Sequence, residues 1–163
     1  MLRIMGAAMI IFAGSMIGFL KSESLKKRAE CLDRIISGLN LLETDISYKK
    51  ADLYKILSSI GENHKIGLFK AIAKNLLKDG IKTATDKALA EEEFLLEKDK
   101  EPIRALADNL GMTDSITQTG AIKRAASRLL EGKKNAQDEY ARLGRLYRSC
   151  GVLGGILGAI ILI

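Results

Sequence analysis

Tryptophan is absent from this chain, and among its 163 residues there are one proline, one histidine and two cysteines. Each shortage removes a class of protein. Cys31 and Cys150 lie far apart and neither sits in a CxxC pair, so there is no disulfide framework, and one histidine cannot complete a structural zinc site. The two thiols read as small apolar residues on helices. Four tyrosines and four phenylalanines, not clustered with basic residues, offer no stacking platform for bases, and nucleic acid is not an expected partner. Valine is scarce, turn dipeptides are few and no long alternating run occurs, which leaves no signal for strands. Catalytic signatures are missing too: the sequence has no GxSxG, P-loop or HExxH pattern. The lone His64, in the loop ENHKIG, has no second histidine to complete a metal pair. No enzyme activity, cofactor or metal is therefore expected.

What the chain does have is charge in the middle and apolar residues at both ends. Hydrophobic residues make up 47% and the net charge is +6. All but one of the 26 lysines and arginines, and all 20 aspartates and glutamates, fall between residues 21 and 149. Charges so interleaved describe a solvated helical surface and not a polyanion-binding tail. Glu91-Glu92-Glu93 and the cluster Glu97, Asp99 and Glu101 are neighboured by lysines at helical spacing, which fits such a face. Lys123, Arg124 and Arg128 form a basic patch on a long helix, suited to solvation and headgroup contact, with docking to an acidic partner as the sharper alternative.

The N-terminal run IMGAAMIIFAGSMIGFL, Ile4 to Leu20, carries no charge and would reach about 26 Å as a helix. The closing run CGVLGGILGAIILI, residues 150 to 163, would reach about 21 Å, short of a hydrocarbon core roughly 30 Å thick. Three readings compete for the first run. A cleaved signal peptide wants a more basic start than Arg3 and a better cleavage site than Ala13-Gly14-Ser15. A buried globular helix is unusual at a chain end so poor in polar residues. A retained transmembrane helix is favoured, because a second apolar segment closes the chain and would pair with it.

On that reading the flanks set the orientation. Lys21, Lys26, Lys27 and Arg28 follow the first run, and Arg142, Arg145 and Arg148 precede the second, so both clusters serve as membrane-interface anchors on one side. The positive-inside rule places the middle in the cytoplasm with both termini across the membrane. The expected division is a transmembrane helix at 1–20, a cytoplasmic bundle at 21–145 and a second transmembrane helix at 146–163. Gly14 with Gly18, Gly151 with Gly155 and Gly154 with Gly158 form GxxxG pairs. Small residues four apart let helices approach closely, through leg-to-leg packing or homo-oligomerisation.

Between the ends the pattern is helical throughout. Ser24 is a candidate cap for a helix carrying Leu25, Ala29, Leu32, Ile35, Leu39, Leu42 and Ile46 at steps of three and four. A short helix from Asp52 should close at Gly61, and a third, with Ile66, Phe69, Ile72 and Leu76, at Gly80. The stretch TATDKALAEEEFLLEKDKEP predicts a helix from Thr85 that breaks before Pro102. Ile103, Leu106, Ala107 and Leu110 predict a helix ended by Gly111. Thr113 or Asp114 then caps a last long helix from Ser115 to Arg148 that runs on into the tail. Short loops joining such helices make an antiparallel all-α bundle.

Four stretches carry a family likeness: MLRIMGAAMIIFAGSMIGF, LLETDISYKKADL, LADNLGMTDSITQ and RLYRSCGVLGGILGAIILI. Over nearly its whole length the chain resembles the stage III sporulation protein AB family of endospore-forming bacteria. That family is itself similar to the F-type inner-membrane platform proteins of type II secretion. The family's LG-xx-D-xxx-Q pattern falls on Leu110, Gly111, Asp114 and Gln118. Cys150 stands where the family has leucine before the closing glycine, and the segment after Tyr48 lacks the family's proline, which leaves the start of the second helix open. The resemblance implies an F-domain-like bundle and no catalytic residue. It further implies a platform in the mother-cell membrane, within the channel to the forespore. A stage III sporulation protein AA-like ATPase and other proteins of that channel complex would be its partners. The alternative is a two-pass membrane scaffold or adaptor unrelated to sporulation.

Overall fold

The computed structural model describes residues 2–48, 52–111 and 114–162. It is all-α: α1 (Leu2–Tyr48), α2 (Leu53–Asn63), α3 (Gly67–Glu91), α4 (Glu97–Ala107) and α5 (Ser115–Leu162), with no strand among the described residues. The join between α1 and α2 and the alternative cap Thr113 lie outside the described residues.

Among the described residues no helix is long and apolar enough to cross a membrane. This corrects the expectation of flanking transmembrane helices, and with it the two-pass topology built on them. The reason lies in the runs themselves. Seventeen residues stand at the short limit for a spanning helix and fourteen fall below it. Glycine dilutes the second run, and each helix meets charge as soon as it continues inward, at Lys21 and at Arg148.

The chain divides into two compact units, one of residues 1–29 with 134–163 and one of residues 30–133. In the terminal unit α1 and α5 run antiparallel. Gly14 abuts Gly151 and Gly155, Gly18 abuts Tyr147 and Gly151, and Arg28 reaches Glu139. Away from that seam the unit leaves large apolar side chains exposed, among them Met9, Phe12, Ile17, Leu153 and Ile160.

The central unit holds most of the core. Leu32, Ile35, Leu39 and Leu42 of α1 recur at steps of three and four and are almost fully buried. They share that core with Leu57 of α2, Leu68 and Leu89 of α3, Leu106 of α4 and Ile122 and Leu129 of α5. Burying one such side chain stabilises by about 1.5–3 kcal/mol. Cys31 is buried here, its Sγ 3.5 Å from Glu92 Oε2, whereas Cys150 is exposed.

Several local expectations change. Ser24 starts no helix, because its hydroxyl donates back to the Lys21 carbonyl at 2.8 Å inside an unbroken α1. Gly61 does not close α2, which continues to Asn63. A Cβ at Gly61 would lie 2.5 Å from the Lys70 backbone nitrogen, so that residue is small because α3 passes close by. Gly80 does interrupt α3, with φ 75 and ψ 166 between two helical stretches. The helix expected from Thr85 to Glu101 is instead cut at residues 92–96, and Pro102 sits inside α4. Proline gives no N–H to the carbonyl four residues back. That carbonyl belongs to the exposed Lys98, where water can serve it.

Candidate functional site

The motif residues Leu110, Gly111, Asp114 and Gln118 occupy the turn from α4 into α5. Leu110 is buried and anchors the turn, and Gly111 takes φ 79, a left-handed value that side chains resist. Asp114 then caps α5: Oδ2 accepts the Thr117 N–H at 3.3 Å and Oδ1 accepts the Thr117 hydroxyl at 2.8 Å. These two hydrogen bonds, hydroxyl first, hold the Asp114 carboxyl below the usual aspartate range. Gln118 closes the first helical bond, its N–H donating to the Asp114 carbonyl at 3.1 Å. The pattern therefore spells a turn and a helix start.

The glycines separate into those at the α1–α5 seam of the terminal unit and those away from it. A Cβ at Gly14 would lie 2.8 Å from the Gly151 carbonyl oxygen and 3.1 Å from the Gly155 Cα. At Gly151 it would lie 2.6 Å from the Gly14 carbonyl oxygen, and at Gly18 it would collide with the Tyr147 carbonyl. Gly154, in contrast, has open space around it, and Gly158 is half-buried. Gly154 stands about 100° around the helix from Gly155, enough to turn it off the seam.

The basic residues expected as interface anchors are placed unequally. Lys21, Lys26, Lys27, Arg142 and Arg145 are exposed. Arg28 departs from that role: it is 4% exposed, with Nη1 3.0 Å from Glu139 Oε2. Arg148 donates to Ser22 Oγ at 3.1 Å and lies 5.6 Å from the Phe19 ring centre. Phe12, Ser15, Met16 and Val152 join these two around an open apolar groove of about 450 Å³.

Carboxylates that could have been catalytic have structural duties. Asp99 is buried and accepts the Leu96 N–H at 3.1 Å at the start of α4. Glu97 accepts from Arg104 at 3.0 Å and pairs with Lys100 at 3.3 Å, which holds its carboxyl below the usual range. His64 is exposed at the end of α2, its N–H donating to the Ile60 carbonyl. Among the described residues no three His, Cys, Asp or Glu side chains gather around a common point. Of the basic patch on α5, Lys123 pairs with Glu43 at 3.3 Å, while Arg124 and Arg128 line a groove beside α4. That groove was not legible beforehand, since its floor forms only when two helices meet.

The family model for stage III sporulation protein AB matches residues 3–163. The chain belongs to that family. The stage III sporulation protein AB of Bacillus subtilis (strain 168) is 27% identical over 165 residues, covering 96% of each chain. A solved structure of a stage III sporulation protein AB shares the fold with a TM-score of 0.61 at 23% identity, covering 70% of this chain and 96% of that one. Membership of the stage III sporulation protein AB family carries a role in sporulation.

Proposed function

We propose that this chain is a non-enzymatic platform of the secretion-like channel between mother cell and forespore, and that it couples a cytoplasmic ATPase to channel parts. The observation that carries this reading is the family match along residues 3–163. The architecture supports it: motif residues and acidic clusters serve turns, caps and ion pairs, as suits a part that positions others. A stage III sporulation protein AA-like ATPase is the expected partner.

The test is affinity purification of the tagged full chain from sporulating cells, with the ATPase followed by mass spectrometry. Co-purification above an untagged control is expected, and its absence after crosslinking sinks the coupling. Complementation separates this from a small enzyme. His64→Ala should restore sporulation fully to a deletion strain, and a loss of spores with the protein still folded would point to chemistry at His64.

A further inference from the structure

Within the central unit, the surface between α4 and α5 dips into a groove of about 150 Å³. Pro102, Ala105 and Leu106 from α4, Asn109 just beyond it, and Ala121, Arg124, Ala125 and Arg128 from α5 line it. The hollow exists because alanines stand where larger side chains would close the seam; Ala121 and Ala125 are themselves buried.

The two arginines are exposed, and neither hydrogen-bonds nor ion-pairs with any described residue. Their neighbours differ. Lys123 is engaged by Glu43, Arg104 by Asp86 and Glu97, and Lys133 by Asp33. An exposed arginine in water is by itself unremarkable, and a single one would carry no argument. Here two guanidinium groups stand one turn apart on one helix face, above a floor with no acidic residue among its lining. Guanidinium forks match carboxylates in two-pronged geometry, and carboxylates four residues apart on a helix have the same repeat.

We propose that this groove docks an acidic helical segment of another protein. Two carboxylates one turn apart on that segment engage Arg124 and Arg128, and an apolar side chain between them seats on the alanine floor. Size and chemistry favour this occupant over others. The hollow is smaller than the roughly 300–1,000 Å³ of small-molecule sites, which disfavours a nucleotide. No aromatic residue lines it to stack a base, and two cations make a short track for a nucleic-acid backbone. The inference goes beyond the platform reading, because it concerns the chemistry of the segment and not which channel protein bears it.

The test uses the full chain in sporulating cells with a photo-reactive amino acid at Ala105, an exposed residue of the groove lining, and mass spectrometry of the adduct. The expected result is an adduct to another protein whose crosslinked peptide carries paired Asp or Glu. Its yield should fall at least roughly tenfold in the Arg124→Glu/Arg128→Glu variant and by clearly less in Arg124→Lys/Arg128→Lys, which keeps the charge and loses the fork. Helix content and melting temperature of both variants show whether the fold is kept, and the lysine pair controls for the surface change. No adduct, an adduct that survives charge reversal, a peptide without paired carboxylates, a second copy of this chain, or nucleic acid would each overturn the proposal. An acidic adduct upholds it whichever protein bears the segment, including where the ATPase fails to co-purify and the coupling reading falls.

Discussion

Glycine at two positions of the same tail has two different meanings. Gly14 and Gly151 are small because backbone faces backbone, whereas Gly154 points into open space. Gly14→Leu should therefore destabilise the chain by roughly 1–3 kcal/mol, since the seam must part. Gly154→Leu should change stability by less than about 0.5 kcal/mol. Chemical denaturation of the two variants decides the matter, and equal losses would mean that the seam does not carry the contact. The sequence showed three GxxxG pairs alike. It could not separate them, because the helical phase that turns Gly154 away matters only once a partner helix is in place. Asp114 was more readable, since a short acidic residue before a helical run is a favoured cap, although Asp52 in the same place before α2 makes no side-chain cap bond. Its lowered pKa sets a pH window. The cap's contribution is complete above the ordinary aspartate range and is lost as pH falls through the lowered value. The Thr117 amide resonance should follow that titration, with a midpoint below the usual aspartate range. Asp114→Asn should abolish the titration, and a midpoint at the ordinary value would remove the cap from the account.

Helices were legible where local chemistry decides them and illegible where neighbours do. The break at Gly80 could be read from glycine alone, because φ 75 with ψ 166 suits almost no other residue. Gly80→Ala should cost about 1–3 kcal/mol although nothing crowds the site. A urea midpoint unchanged from the parent would contradict the strained backbone. Pro102 misled in the opposite direction. Its ring is buried in α4 and its missing donor falls on the exposed Lys98 side, so packing outweighs the breaking tendency. Gly61 misled for a similar reason: it marks the approach of α3 and not the end of α2. The groove beside α4 belongs to the same class. Lys123, Arg124 and Arg128 looked equivalent along the chain, and only the Glu43 partner distinguishes the first from the other two.

The two units differ in how they bury apolar surface. Nearly all the large, fully buried side chains lie between residues 30 and 133, while the terminal unit leaves Met9, Phe12, Ile17, Leu153 and Ile160 exposed. A fragment of residues 30–133 should accordingly melt cooperatively on its own. Monomeric proteins seldom leave apolar patches of that extent uncovered. The full chain should elute from size-exclusion chromatography as larger assemblies than the fragment, at equal concentration. A fragment without a cooperative transition would show that the central core depends on the terminal segments.

The contrast between the two thiols gives the chain a built-in reporter. Burial and the nearby Glu92 carboxylate push Cys31 up to about 12, so it stays a sealed thiol at neutral pH. Cys150 is open to reagents. Maleimide dyes or spin labels added to the unaltered protein should attach at Cys150 alone, with one label per folded chain and a second only after denaturation. Spectroscopy of the α5 tail thus needs no engineered cysteine.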